Sequence, residues 1–146
     1  MTTENGRATE RPGSKLKRFE ISTRSRVEFV DITDRIERFL SESGVRDGIC
    51  LVYTPHTTSA ILINENADPS LHKDFDKFLK GLAPHRDDYS HNDGNCDSHL
   101  KSALIGPSKT LPVENGRLVL GTWQGVFLCE FDGPRRRQVT VKIVSD

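Results

Sequence analysis

Short strand-like segments recur along this chain, and they constrain its fold more than any other feature. Residues 139–143 alternate apolar and polar side chains, which is the period of a half-buried strand. Residues 48–54 form a continuous apolar run, which is typical of a strand covered on both faces. Asn115-Gly116 is the dipeptide of a tight hairpin turn, and a long strand is expected over residues 118–131.

Three helical patterns lie between these strands. The first follows Asp31 and repeats apolar residues at the spacing of one helix face, and Gly44 can end it. The second begins after Asp68, whose side chain can cap a helix, and the third is short and is capped by Asp97. There is no regular βαβ alternation, so the pattern predicts an α+β fold: a mainly antiparallel sheet with two or three helices packed on one side.

The length of 146 residues is typical of one domain. Residues 1–16 contain few side chains that can be buried, and we expect them to form a flexible N-terminal tail. A single domain is then expected over residues 17–146.

Charge and composition exclude several classes of protein. Lys plus Arg equals Asp plus Glu at 21 each, whereas a dedicated nucleic-acid-binding protein usually carries a basic excess. No apolar stretch has the length of a membrane span, and the first residues lack the apolar region of a secretory signal. We therefore expect a cytoplasmic protein whose partners include neither nucleic acid nor membrane. No phosphate-binding loop, dinucleotide-binding fingerprint or nucleophile elbow is present.

The three cysteines do not form a Cys-x-x-Cys motif. Cys50 and Cys129 lie in apolar strand-like runs and are expected to be buried. Cys96 lies in a polar segment, where a single cysteine is weak support for a ligand or a nucleophile.

Histidines and carboxylates are concentrated in one window. Four of the five histidines and eight acidic residues fall within residues 64–99, against four basic residues, so this window has a formal charge of 4 − 8 = −4. Such a window supplies nitrogen and oxygen ligands for a divalent metal, either zinc or magnesium. His91 and His99 flank a turn that can bring their imidazoles together, but eight residues is not a diagnostic separation. Both can equally be surface residues.

Four other segments carry candidate site residues, each with a structural alternative. His56 precedes the hydroxyls of Thr57 and Thr58 and can be a ligand, a general base or a phosphate contact, or part of an ordinary turn. Glu65, next to Asn64, can be a ligand or an acid/base, or a solvated carboxylate. The other two segments hold Trp123 with Gln124, and Arg135.

Each of these last two segments also has two interpretations. Trp123 can stack on a ligand ring with Gln124 bonding its edge, although a lone tryptophan usually lies in a core or a subunit interface. Arg135 begins a run of three arginines that can bind phosphate or carboxylate, or can form a solvated strand edge.

Taken together, these segments resemble one family, the YjbQ-like proteins, also called secondary thiamine-phosphate synthases. The resemblance covers nearly the whole chain after residue 16 and depends on ordered motifs: HTTSA (56–60), Asn64-Glu65, Asp68, YSH (89–91), Asn95, HLK (99–101), GTWQ (121–124) and EFDGPR (130–135).

The resemblance implies a homotrimer with a pocket near the histidine motifs. It also implies a weak ability to join a thiazole phosphate to a hydroxymethylpyrimidine diphosphate, giving thiamine phosphate. We expect His56, His91 and His99 to surround a divalent metal or an anionic substrate group, with Glu65 near them. Substrate contacts are expected from Thr57, Thr58, Asn64, Asn95, Trp123, Gln124 and Arg135.

The sequence leaves two alternatives to an enzyme open. One is a non-catalytic trimeric module that binds a divalent metal or a phosphorylated metabolite, because binding requires the same side chains as turnover. The other is a structural subunit whose histidines lie at interfaces.

Overall fold

The computed structural model describes residues 14–146 and contains eight strands and three helices. In chain order these are β1 (Ser14–Ser22), β2 (Glu28–Asp31), α1 (Thr33–Ser43), β3 (Gly48–Tyr53), β4 (Ser59–Glu65), α2 (Ser70–Leu82), α3 (Cys96–Ile105), β5 (Ser108–Glu114), β6 (Arg117–Leu118), β7 (Gln124–Glu130) and β8 (Arg136–Ser145).

The strands form two antiparallel sheets. The larger sheet has the order β1-β8-β3-β5-β6, and the smaller has the order β2-β7-β4. All of the paired strands run antiparallel. The predicted α+β class is therefore confirmed, with the strands divided between two sheets.

Two apolar clusters separate the molecule into layers. The larger cluster lies between the two sheets and includes Ile61 and Leu128 from the small sheet, Val141 from the large sheet and Ile36 from α1. The smaller cluster lies on the other face of the small sheet, where α2 and α3 cover it. Strand β7 is thus buried on both faces, and the helices α2 and α3 share one side.

The outer face of the large sheet has no layer over it among residues 14–146. The run at residues 48–54 was expected to be covered on both faces, but burial alternates along β3 and leaves Leu51 and Tyr53 partly exposed. The expected long strand over residues 118–131 is also wrong. Strand β6 ends at Leu118, and a loop that contains Gly121 precedes β7.

Most of the expected tail, residues 1–13, lies outside the residues that the structure describes. Residues 14–16 belong to β1, where they pair with β8, so the strand begins earlier than the tail boundary at residue 16. Within residues 14–146, no helix combines the length and the apolar character needed to cross a membrane.

Candidate functional site

The cavity that contains two of the predicted histidines lies between the β3–β4 turn and helix α3. It has a volume of about 390 Å³, which is within the usual size of small-molecule sites. We call it the histidine cavity. Its lining residues are Tyr53, Thr54, Pro55, His56, Thr57, Ser59, His99, Ser102, Ala103 and Pro107. The structure thus brings His56, Thr57 and His99 together, although they are far apart in the sequence.

His56 is held by a backbone group near the start of strand β8. The backbone N–H of Gln138 donates to His56 Nε2 over 2.9 Å. Partial burial lowers the pKa of His56 below its usual value, the nearby Arg137 and Arg135 lower it further, and Glu130 opposes them. The imidazole is therefore neutral near pH 7, and its proton lies on Nδ1 because Nε2 accepts a hydrogen bond.

A buried ion pair fixes the other end of the β3–β4 turn. Arg137 donates to both carboxylate oxygens of Glu130, and both side chains are at most 4% exposed. Arg137 also donates to Thr58 Oγ1 over 2.7 Å and to the Thr58 carbonyl over 3.2 Å. Thr23 donates its hydroxyl to Glu130 over 2.6 Å. This network holds the HTTS segment against strands β7 and β8, so the wall of the cavity is rigid.

A second buried charge network anchors α3, which carries His99 and Ser102. Asp97 is fully buried and accepts hydrogen bonds from Arg26 and Lys101, at 3.0 and 3.1 Å. His85 Nδ1 lies 3.2 Å from the same carboxylate. Burial alone would raise the pKa of Asp97, but these hydrogen bonds and charges outweigh it and lower the pKa to about 2. Asp97 lies inside the first turn of α3 rather than capping it.

Ser102 lines the histidine cavity and carries a polar atom without a hydrogen-bond partner within residues 14–146. The residue is only 5% exposed, and its Oγ has no hydrogen-bond partner among residues 14–146. A buried hydroxyl without a partner costs free energy, so such a group needs an explanation. A ligand that occupies the cavity would supply the missing partner.

His91 lies beside His99 but outside the histidine cavity. The centroids of the two rings are 5.0 Å apart. His91 lines an adjoining cavity of about 190 Å³ with His85, Tyr89 and Cys96, and its Nε2 lies 3.4 Å from Asp93. The predicted pairing of His91 with His99 is therefore present in the structure.

Three of the expected substrate contacts are already engaged with protein groups. Asn95 donates to Asp132 over 2.9 Å, and Arg135 donates to the same carboxylate over 2.9 Å. Thr58 is buried beneath Arg137. Arg135 is more than half exposed and lies close enough to His56 to affect its pKa.

The remaining expected contacts lie at the opposite end of the small sheet. Strand β4 begins beside the cavity at Ser59 and ends at Glu65, where it pairs with Gln124. Seven strand residues span roughly 20 Å. Asn64, Glu65, Trp123 and Gln124 are therefore not brought together with His56 and His99 in one chain. Trp123 is 64% exposed, so it is not a core residue.

The fit of a metal to the three predicted histidines can be tested on these contacts. No group of three or more His, Cys, Asp or Glu side chains within residues 14–146 lies close enough to hold an ion. His56 fits poorly as a ligand, because Nε2 accepts the Gln138 N–H and Nδ1 carries the proton. His91 and His99 are the nitrogen donors that this arrangement leaves for the predicted zinc or magnesium.

Sequence reasoning missed the groups that support the site. It selected Arg135, which precedes β8 and is exposed, whereas the buried arginine is Arg137, two residues further along and within β8. It also missed Glu130, Lys101 and Ser102. A signal existed for Glu130, because a carboxylate ends the otherwise apolar run of β7. No local pattern reveals that Lys101 is buried.

The family model for YjbQ-like UPF0047 proteins matches residues 17–146, so the chain belongs to the YjbQ/UPF0047 family. It is 51% identical over 131 residues to the UPF0047 protein MJ1081 of Methanocaldococcus jannaschii, a match that covers 90% of this chain and 95% of the relative. It is 47% identical to the UPF0047 protein YugU of Bacillus subtilis, over 89% of this chain and 99% of the relative.

Solved structures agree with this assignment. A YjbQ/UPF0047 family protein of Clostridium acetobutylicum, 45% identical, superposes with a TM-score of 0.86 over 88% of this chain and 99% of that one. A protein of unknown function from Sulfolobus solfataricus, 38% identical, gives a TM-score of 0.88 over 91% of this chain and 98% of that one. The names of these relatives state no reaction, so the thiamine-phosphate reaction stays a prediction.

Proposed function

We propose that this chain is an enzyme that acts on a small phosphorylated metabolite in the histidine cavity. The observation that carries the proposal is the cavity wall itself, which is lined by two histidines and by a serine whose buried hydroxyl has no partner within residues 14–146. Imidazole and hydroxyl groups can donate hydrogen bonds to phosphate oxygens. Polar groups of this kind in a concave site are typical of small-molecule recognition.

The finer proposal is the reaction implied by the family resemblance. The thiazole nitrogen uses its lone pair to bond the exocyclic methylene carbon of the pyrimidine. The C–O bond to the diphosphate breaks, and diphosphate leaves with that electron pair. The products are thiamine phosphate and diphosphate, and the step needs no oxidant or reductant.

The protein's contribution to such a step is orientation of the reactants and stabilisation of the leaving diphosphate. The cavity supplies hydrogen-bond donors at His56 and Ser102, and His99 faces the same space from α3. Arg135 lies close enough to His56 to affect its pKa and can turn toward an anion, because more than half of its side chain is exposed. The predicted divalent metal would bind at His91 and His99 and would neutralise diphosphate charge.

The homotrimer stays part of this proposal. The apolar side chains on the outer face of the large sheet, among them Ile49, Leu51 and Tyr53, are from 36% to 48% exposed. Apolar surface of this kind is typical of contacts between subunits. Tyr53 also lines the histidine cavity, so this face is continuous with the site.

Turnover separates the enzyme from the non-catalytic module. Purified protein is incubated with both precursors and Mg²⁺, and thiamine phosphate is measured by chromatography. We expect product from the wild type and a loss of about tenfold or more in His99→Ala, the effect of removing one group that contacts the reactants. Leu100→Ala changes the next, exposed residue of α3 and should retain the rate. Saturable binding of the diphosphate with no product at any enzyme concentration would overturn the enzyme and favour the binding module.

A further inference from the structure

Two groups on opposite walls of the histidine cavity have unused hydrogen-bonding capacity. His56 projects from the β3–β4 turn, and Ser102 projects from α3. Each belongs to a wall that a buried network holds in place, the Glu130–Arg137 pair on one side and Asp97–Lys101 on the other. Both groups are therefore positioned before a ligand binds, which reduces the entropy cost of binding.

The contact of His56 with strand β8 decides which of its nitrogens carries the proton. Gln138 belongs to β8 and is paired with Glu20 of β1. Its backbone N–H donates to Nε2 of the His56 imidazole. A hydrogen atom on Nε2 would oppose that N–H, so neutral His56 is an Nδ1–H tautomer. In this tautomer neither nitrogen has a free lone pair, because one carries the proton and the other accepts a hydrogen bond.

The Ser102 hydroxyl complements this donor. Its Oγ is buried and has no partner within the described part of the chain. The adjacent hydroxyls of Thr54 and Ser59, by contrast, bond each other over 2.7 Å and are already satisfied. Among the groups that line the cavity, His56 therefore offers an imidazole N–H and Ser102 a buried hydroxyl without a partner within residues 14–146, and neither group adds a charge.

We propose that His56 Nδ1–H and Ser102 Oγ–H form a metal-free subsite that donates two hydrogen bonds to a phosphoryl oxygen of the ligand. His56 is then a positioning donor for that oxygen and is neither a metal ligand nor a general base. The inference rests on the proposed function for the presence of a phosphorylated ligand. The tautomer of His56 is independent of that function.

The tautomer is measured first, in ligand-free protein labelled with ¹⁵N at histidine. The His56 signals are assigned by their loss in the His56→Asn variant. We expect a protonated Nδ1 and an unprotonated Nε2 at neutral pH. A protonated Nε2 would overturn the inference whether or not the protein binds or converts the precursors.

Binding is then measured by calorimetry with hydroxymethylpyrimidine diphosphate as the probe, in the presence of a chelator. We expect affinity to fall about tenfold in Ser102→Ala and in His56→Ala, because each loses one hydrogen bond to an anion. His56→Asn keeps a side-chain N–H near the Nδ1 position and should recover most of the lost affinity. Ser102→Ala removes a hydroxyl that has no partner, so it should fold normally.

Two further results would contradict the inference in different ways. Unchanged affinity in both alanine variants would overturn the subsite, even with turnover intact. No binding by the wild type, either with the chelator or in a second titration with Mg²⁺, together with the expected tautomer, would overturn the proposed function and with it the ligand for these donors.

Discussion

Substitution of Asp97 is the strongest test of how helix α3 is anchored beside the cavity. This one carboxylate contacts three basic side chains, those of Arg26, His85 and Lys101. Its pKa falls from an ordinary value of 3.8 to about 2. This difference corresponds to about 2 kcal/mol of folding free energy at neutral pH. The Asp97→Asn variant also leaves Lys101, only 1% exposed, buried without its anion. Breaking one side of a buried pair typically costs about 3–5 kcal/mol, so we expect a loss of about 3 kcal/mol.

The pH dependence gives the sign of the effect. Because folding lowers the pKa of Asp97, its stabilisation is fully present above pH 3.8 and is lost as the pH falls toward 2. The free-energy gap between wild type and Asp97→Asn should therefore narrow as the pH falls below about 4.

The assay is urea unfolding followed by circular dichroism, with three further variants: Asp93→Asn, Lys101→Met and the double variant Asp97→Asn/Lys101→Met. Asp93→Asn changes an exposed carboxylate and should leave the free energy of unfolding unchanged. The double variant Asp97→Asn/Lys101→Met removes the buried ammonium group that Asp97→Asn leaves without a counter-charge. Its free energy of unfolding should be higher than that of Asp97→Asn alone. A loss below about 0.5 kcal/mol in Asp97→Asn, the range of ordinary surface substitutions, would refute the reasoning. So would strict additivity in the double variant, because neighbours in one network should couple.

Three further predictions concern other parts of the fold. Glu130→Gln should lower the free energy of unfolding by about 3 kcal/mol in the same urea assay, because it removes the charge opposite a buried guanidinium; an unchanged midpoint would contradict this. A thiol reagent at pH 8 should modify Cys96 rapidly, and Cys50 and Cys129 only after denaturation. Burial raises the pKa of Cys50 to about 12 and also raises the pKa of Cys129. Rapid reaction of all three thiols would refute the burial of Cys50 and Cys129. Gly44→Ala should cost about 1 kcal/mol in thermal unfolding, because Gly44 ends α1 at φ +75°; no change in stability would show that the left-handed conformation is not required.

Local patterns were enough to predict most of the elements of this fold. Gly44 ends α1 as expected, and Asn115-Gly116 forms the hairpin between β5 and β6. The division into two sheets was not predicted, because it depends on which strands pair. The run at residues 48–54 shows the same limit, since an apolar side chain that faces outward looks the same in sequence as one that faces a core.

The sequence likewise predicted only part of the candidate site. The motifs led to His56, His91 and His99, and the structure places them near one another, though in two adjoining cavities. Ordered motifs could not show that Trp123 lies at the far end of β4, because that separation follows from strand direction. The motifs also could not reveal Ser102, because it stands out only by a buried hydroxyl that has no hydrogen-bond partner within residues 14–146.

The central claim is that the histidine cavity is the binding site, and a matched pair of variants on α3 tests it most directly. Ala103→Phe places a ring in the cavity, whereas Leu104→Phe adds a ring at the next residue, which is 64% exposed and does not line it. Calorimetric titration with hydroxymethylpyrimidine diphosphate should show binding by the wild type and by Leu104→Phe, and none by folded Ala103→Phe. Equal affinity in all three proteins would contradict the account, because the ligand would then bind elsewhere.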